Sequence, residues 1–394
     1  VSESFDLAIV GAGIHGTGIA QAAAAAGHSV LLIEQTAVAA GSSSRSSKLI
    51  HGGLRYLETG QFALVRESLR ERALMLRLAP DLVRLQRFYI PVYALTRRRP
   101  WQLRLGLSLY ALLASLRPEA RFGTVPRREW HWLDGLDTAG LQAVFWYQDG
   151  QTDDRALTHA VLRSAEQLGA RLSCPARFES ASLEDDGIVM RYTRGERSEE
   201  CRARVLVNAA GPWAEAIARC IAPAIAVPPL ECVQGAHIVL KARLERGIYY
   251  LESPRDGRAV FVMPWKGQTL VGTTENRFHG DPAQVTASHA EIHYLLSVLK
   301  HYFPRWRTFT EQDLIASFAG LRVLPSGPGH AFHRSRETQL ILDRPARPRV
   351  LSIYGGKLTT WRAVSQRALQ RIAGSLPRRR AIARTDQLPL RAEP

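Results

Sequence analysis

The 394-residue sequence predicts an α/β fold: a Rossmann-like nucleotide-binding domain joined to a second domain of antiparallel sheet. Three observations point there. A short apolar run at 6–10 leads into a glycine-spaced turn, a small-residue helix and another apolar run. Alternating apolar and polar residues recur later, as at 236–240 and 267–271, where half-buried strands are expected. The length exceeds one ordinary domain, so two are expected.

Asp6-Leu7-Ala8-Ile9-Val10 suits a buried parallel strand. Gly11-Ala12-Gly13-Ile14-His15-Gly16 follows with the spacing G-x-G-x-x-G, and 17–26 is rich in alanine, as a tightly packed helix requires. Gly27 closes that helix, 29–33 gives a second strand, and Glu34 ends it. Gly11 permits the sharp turn, Gly13 lets the backbone approach a pyrophosphate, and Gly16 brings helix against strand. The helix N-terminus offers N–H groups and a positive dipole end to phosphates. Glu34 is placed to accept hydrogen bonds from ribose hydroxyls. Glycines chosen only for tight packing would not need strand, turn, helix, strand and acid in this order. The turn alone does not separate FAD from NAD.

The next segment is Ser42-Ser43-Ser44-Arg45-Ser46-Ser47-Lys48-Leu49-Ile50-His51-Gly52-Gly53-Leu54-Arg55-Tyr56. Serine runs are usually linkers. This one leads directly into a glycine pair and a helix from Phe62 to Leu78. Its hydroxyls and amides suit a cradle for phosphate and flavin, and Gly52 and Gly53 let the chain pass close to a flat ring.

With this segment the sequence resembles the FAD-dependent, aerobic-type glycerol-3-phosphate dehydrogenase family. The likeness continues through Gln151-Thr152-Asp153-Asp154-Arg155, Val207-Asn208-Ala209-Ala210-Gly211-Pro212-Trp213, Gln234-Gly235-Ala236-His237, Val271-Gly272-Thr273-Thr274-Glu275, Gly320-Leu321-Arg322 and Tyr354-Gly355-Gly356-Lys357-Leu358-Thr359-Thr360. The resemblance implies non-covalent FAD and oxidation of sn-glycerol-3-phosphate to dihydroxyacetone phosphate, by hydride transfer from C2 to flavin N5. It further implies electron delivery to a membrane quinone and a possible homodimer. The implied cofactor contacts are Gly11, Gly13, Ile14, His15, Gly16, Glu34, Gln35, Ser43, Ser46, Ser47, Lys48, His51, Gly52, Ala176, Arg177, Ala210, Gly211, Trp213, Gly320, Leu321, Gly356, Leu358 and Thr359. The implied FAD domain, of the glutathione-reductase-like type, is discontinuous over 1–76, 150–222 and 315–376. A substrate-binding cap takes 77–149 and 223–314, and 377–394 is a tail or the start of a further domain.

Departures from the family pattern are visible. His15 stands where asparagine is common, Ala319 precedes the glycine, and 325–336 is short. The family continues into a helical C-terminal domain beyond the point where this sequence ends, which bears on partners and the dimer more than on chemistry.

Alcohol oxidation by a flavin needs a base, a hydride acceptor over the carbon, and cations for the phosphate. Arg55, Arg322 and Lys357 adjoin glycine turns and are the first choices for anion binding, arginine as a bidentate fork and lysine as a point charge. The resemblance adds Arg336. Any one of the 52 Lys and Arg residues is otherwise expected to be a solvated charge. His237 is the preferred base, since imidazole titrates near neutrality. A lone histidine in an apolar strand can equally be a satisfied core residue, and His51 competes for the role. Tyr56 either touches substrate or packs a helix start. Thr359 and Thr360 open a helix from Trp361 to Ala373, whose dipole would favour a reduced, negatively charged flavin.

The net charge of +16 favours anions: a phosphorylated substrate, anionic lipid or nucleic acid. A host that uses arginine freely would give the same charge. No nucleic-acid motif accompanies it. The cysteines, Cys174, Cys201, Cys220 and Cys232, form no C-x-x-C pair, so no metal site or disulfide framework is expected, and reduced cytosolic thiols fit. No secretory leader pattern and no bilayer-length apolar run is read. Arg97-Arg98-Arg99-Pro100-Trp101 precedes an apolar helix over 103–113, which reads either as a monotopic anchor on anionic lipid or as a core helix between basic loops. Family habit favours the anchor, at the cytoplasmic face of the inner membrane. Two rival readings remain: another flavin enzyme acting on an amino acid or 2-hydroxy acid, and a non-catalytic, membrane-associated flavin-binding protein.

Overall fold

The computed structural model describes residues 3–326 and 338–393. The first strand, Glu3–Val10, lies between two parallel partners, Val30–Ile33 and Arg197–Asn208. Arg171–Ser173 extends the sheet beyond Val30–Ile33, and Val350–Tyr354 joins the far end of Arg197–Asn208, both parallel. Arg177–Glu184, Gly187–Arg194 and the first half of Arg197–Asn208 form an antiparallel meander at the same sheet. Where the first three core strands pair side by side, at 7–10, 30–33 and 205–207, they are continuous apolar runs, as expected of parallel strands covered on both faces.

Helix Ile14–Ala25 is buried along almost its whole length, the state expected of a helix apolar all round. Its small residues let two neighbours close in, Asp154–Gln167 and Trp361–Ile372. A Cβ on Gly18 would lie 2.6 Å from both Ser365 Oγ and the Trp361 ring. The helix begins at Ile14, three residues earlier than its alanine content indicated, because Gly13 is already its N-cap.

The second sheet runs Asn276–Phe278, Leu230–Leu240, Gln268–Gly272, Ala259–Trp265, Ile248–Glu252, Val83–Tyr93, Leu141–Thr152, Leu49–Ile50. Consecutive residues face opposite sides. Tyr89, Ile238, Val262 and Val271 pack with helix His289–Tyr302. Phe88, Val239, Met263 and Leu270 pack with Phe62–Leu78 and Pro100–Leu113. The sheet is therefore a slab buried on both faces, which the period of two dictates.

Two segments cross the boundaries that the sequence implied. Leu314–Pro325, assigned there mostly to the nucleotide domain, pairs along its length with Leu230–Leu240 of the second sheet. Leu49–Ile50, likewise assigned, pairs with Leu141–Thr152. The stretch 377–393 lacks regular structure but is strapped to the nucleotide domain. The Ile382 and Ala383 N–H groups donate to Ala25 O, Leu390 N–H donates to Leu78 O, and Arg379 pairs with Asp6.

Helix Pro100–Leu113 buries Leu103, Leu107, Tyr110 and Ala111 and turns Trp101, Leu105 and Leu112 outward, each over 60% exposed. It is a core helix with a second, outward apolar face. Among the described residues no helix is long and apolar enough to cross a membrane.

Candidate active site and cofactor cradle

The glycine turn is built as a close approach of three backbones. Gly11 has φ +100°, and a Cβ there would lie 2.8 Å from Ala209 O and 2.9 Å from Ala210 Cα. A Cβ on Gly16 would fall on Gly11 O. The turn preceding the Gly211–Trp213 helical turn is thus pressed against the first. Gly13 has no side-chain cap, and Ser43 Oγ accepts the Ile14 N–H at 2.9 Å. Glu34 accepts from Ala12 N–H at 2.9 Å and Thr36 N–H at 3.0 Å, leaving further lone pairs on its carboxylate. Gln35 is exposed beside it, and Ala176 N–H donates to Glu34 O at 2.7 Å, which brings Arg177 to the same strand end.

His15 departs from the family pattern and faces the second glycine loop. Its Nε2 lies where a Cβ on Gly356 would fall, and Gly356 has φ +96°. His15 Nδ1 is buried without a hydrogen-bond partner among the described residues. Burial, outweighing a hydrogen bond to the Gly355 backbone, lowers the imidazole to about 4, so it is neutral. The glycine cradle, the uncapped helix start and this orphaned nitrogen fit a dinucleotide.

The serine segment does two jobs. Ser42 Oγ donates to Leu321 O at 2.6 Å, and a Cβ on Gly320 would lie 2.6 Å from Arg45 O, so this segment seals against the Gly320–Arg322 strand. Ser46 and Lys48, both expected beside the cofactor, also hold Asp154. Ser46 N–H and Oγ donate to Asp154 Oδ2 (2.9 and 2.7 Å), and Lys48 Nζ donates to Asp154 Oδ1 (2.7 Å) and Ser44 O (2.6 Å). Asp154 is fully buried, so it shapes the loop from within.

Around these loops the expected site residues fall into two groups. In the first, Lys357 Nζ stands 3.8 Å above the Tyr56 ring and the Arg55 guanidinium lies 5.8 Å from the same ring. In the second, His237 stacks on Phe318 at 4.9 Å, and its Nε2 shares a hydrogen bond of 2.9 Å with Ser47 Oγ. Arg322 lies over Gly235, where a Cβ would approach its NH2 to 2.9 Å; it donates to Thr273 Oγ1 at 3.3 Å and faces Glu275 at 3.7 Å. Segment 47–56 joins the groups, with Ser47 in one and Tyr56 in the other. His51 is pinned midway: its N–H donates to Thr359 Oγ1 at 3.1 Å, and that hydroxyl donates back to His51 O at 3.2 Å. Leu358 and Thr360 complete the short turn that opens helix Trp361–Ile372. Arg336 lies outside the described residues.

Burial first, then the charges of Arg322 and Lys48, lower His237 to about 3. Its Nδ1 is buried without a hydrogen-bond partner among the described residues. Asp154, Thr273, Glu275 and Phe318 escaped the sequence-derived site. Only Asp154 left a signal, as the second acid of a pair at a helix start, and its charge is used inward. No group of three His, Cys, Asp or Glu that could hold a metal occurs among the described residues.

Residues 6–360 match the family described as FAD dependent oxidoreductase. A glycerol-3-phosphate dehydrogenase of Pseudomonas aeruginosa is 37% identical over 386 residues, covering 94% of this chain and 72% of that protein. The chain belongs to the FAD-dependent oxidoreductases of the glycerol-3-phosphate dehydrogenase type. Its family cofactor is FAD, in agreement with the cradle. Another relative, the D-erythritol 1-phosphate dehydrogenase of Brucella abortus, is 34% identical over 382 residues, covering 95% of this chain and 75% of that one. The structure of a glycerol-3-phosphate dehydrogenase from Bacillus halodurans complexed with FAD superposes with a TM-score of 0.74 at 25% identity, covering 98% of this chain and 68% of that one. These oxidoreductases share the two-sheet framework, so the fold expected from the sequence is the one found.

Proposed function

We propose that this oxidoreductase converts sn-glycerol-3-phosphate to dihydroxyacetone phosphate and passes the electrons to a membrane quinone. The observation that carries the reading is the convergence of Lys357 and Arg55 on the Tyr56 ring, directly after the glycine pair. Two cations gathered on one ring beside a glycine turn suit a phosphate, arginine as a fork and lysine as a point charge. Bound FAD supplies the hydride acceptor at N5 and holds the electron pair for the quinone.

The protein's part is orientation and proton transfer. Arg322, beside His237, takes the phosphate by a bidentate fork, and Arg55 and Lys357, in the neighbouring group, add positive charge toward it. His237 takes the C2 hydroxyl proton. In the resting protein it is a weak base, held down by burial and by Arg322 and Lys48. A phosphate dianion on Arg322 cancels one of those charges and raises its basicity, so substrate binding itself readies the base. Ser47 fixes the ring's orientation. The outward apolar face of Pro100–Leu113, flanked by Arg97, Arg99, Arg104 and Arg117, supports peripheral docking on anionic lipid, where a quinone is dissolved.

The test is an anaerobic absorbance titration of the flavin with glycerol-3-phosphate, followed by reoxidation with a soluble quinone. Bleaching followed by quinone-dependent recovery is expected. Bleaching by an amino acid or a 2-hydroxy acid instead would overturn the substrate class, and no bleaching by any of them would make the protein non-catalytic. The Brucella relative favours a second reading, a longer polyol phosphate. Comparing kcat/KM for erythritol phosphate and glycerol-3-phosphate decides between them.

A further inference from the structure

Tyr110 sits on the inner face of helix Pro100–Leu113, 2% exposed. Its hydroxyl donates to Asp149 Oδ2 at 2.6 Å and accepts the Gly52 N–H at 2.8 Å. The other carboxylate oxygen of Asp149 accepts from Arg72 NH1 at 2.6 Å, and both residues are 1% exposed. Arg72 also donates to Gln148 O at 3.0 Å and Glu119 O at 3.4 Å. Burial and the Asp149 charge hold the Tyr110 phenol well above its ordinary value, so it stays a donor.

The oxidation assigns none of these three side chains a role. What they hold is the backbone of Gly52. A Cβ on Gly52 would fall on the Tyr110 hydroxyl. One residue earlier, His51 is clasped by Thr359. Three and four residues later come Arg55 and Tyr56, beneath Lys357. A buried N–H needs a partner, and water or a neighbouring carbonyl would serve. Here the partners are a tyrosine hydroxyl oriented by a buried ion pair and, more weakly at 3.4 Å, Oδ1 of Asp149 itself. Such a pair gains little net stability over an apolar filling, because desolvation offsets the attraction. Its use at this spot is explained by orientation.

We propose that Tyr110, oriented by Asp149 and Arg72, is a positioning residue that sets where Arg55 and Tyr56 meet the substrate phosphate. The proposal rests on the reading that Arg55 binds that phosphate, and the experiment separates the two.

Tyr110→Phe removes the hydroxyl and keeps the ring. Kinetics with glycerol-3-phosphate and a soluble dye are measured per bound flavin, alongside the Kd of inorganic phosphate from the flavin difference spectrum. Tyr110→Phe is expected to retain flavin, weaken phosphate and lower kcat/KM by about tenfold. Combined with Arg55→Ala, it is expected to add little to the loss from Arg55→Ala alone, because both act through one contact. Normal kinetics and phosphate Kd in Tyr110→Phe would overturn the proposal. So would losses that multiply in the double variant. Unchanged behaviour of Arg55→Ala alone would remove the underlying reading and the proposal with it. If Tyr110→Phe fails to hold flavin, Arg72→Lys, which keeps a cation on Asp149, is measured in its place with the same expectation at smaller size. Flavin loss from both variants would mark the triad as structural only and overturn the positioning role.

Discussion

His237 and His15 are buried imidazoles lowered to about 3 and about 4, in both cases first by loss of water. The unfolded chain binds protons near the ordinary value of 6.5 while the folded one does not. Their contribution to stability is therefore complete above that value and is lost as pH falls through the folded values. His15→Asn is expected to flatten this acid-side loss, read as the thermal midpoint of flavin release from about pH 7 down to about pH 4. Arg322→Ala is expected to lower kcat/KM for the phosphorylated substrate by about tenfold or more while flavin content stays the same. Unchanged kcat/KM would remove Arg322 from the phosphate site. The glycines of the first turn were legible in the sequence because backbone crowding admits no other residue there. His237 was legible only as a histidine out of place in an apolar strand. Asp154 and Asp149 were not legible as organisers, since their partners Lys48 and Arg72 lie 106 and 77 residues away. Local spacing carries no record of such pairings.

At the scale of elements, periodicity served well where one face or one packing rule dominates. Helix Phe62–Leu78 has the bounds its pattern gave, and Trp361–Ile372 differs by one residue. Strand Leu314–Pro325, which the sequence implied to lie mostly in the nucleotide domain, pairs with Leu230–Leu240 of the second sheet. Its composition fixes a strand, but sheet membership depends on a partner some eighty residues earlier in the chain. The outward face of Pro100–Leu113 yields a prediction at this scale. Replacing Trp101, Leu105 and Leu112 by glutamate is expected to abolish binding to anionic vesicles in a flotation assay and to leave dye-linked turnover intact, because Tyr110, on the inner face, is the residue of this helix that bonds the Gly52 loop. Vesicle binding equal to the parent's would exclude this helix as the docking element.

For the molecule as a whole, the two sheets draw their strands from alternating stretches of the sequence. The buried pair of Arg362 with Glu71, bonded at 2.9 and 2.6 Å, ties the last helix to Phe62–Leu78, and Thr385 of the C-terminal strap joins it. Arg362→Ala leaves Glu71 charged and buried, and is expected to destabilise the fold by roughly 3–5 kcal/mol in denaturant unfolding. A loss under about 1 kcal/mol would mean that water reaches the carboxylate. The strap also gives the nucleotide domain a built-in reporter. Arg378, Arg379 and Arg380 lie side by side where the chain crosses Gly27, at the end of the helix that begins at the cofactor turn. All three are exposed, and lifting of the crossing makes their bonds easier for trypsin to accommodate. The rate of nicking there, with and without added FAD, therefore reads how tightly the dinucleotide clamps its own domain, with no turnover required.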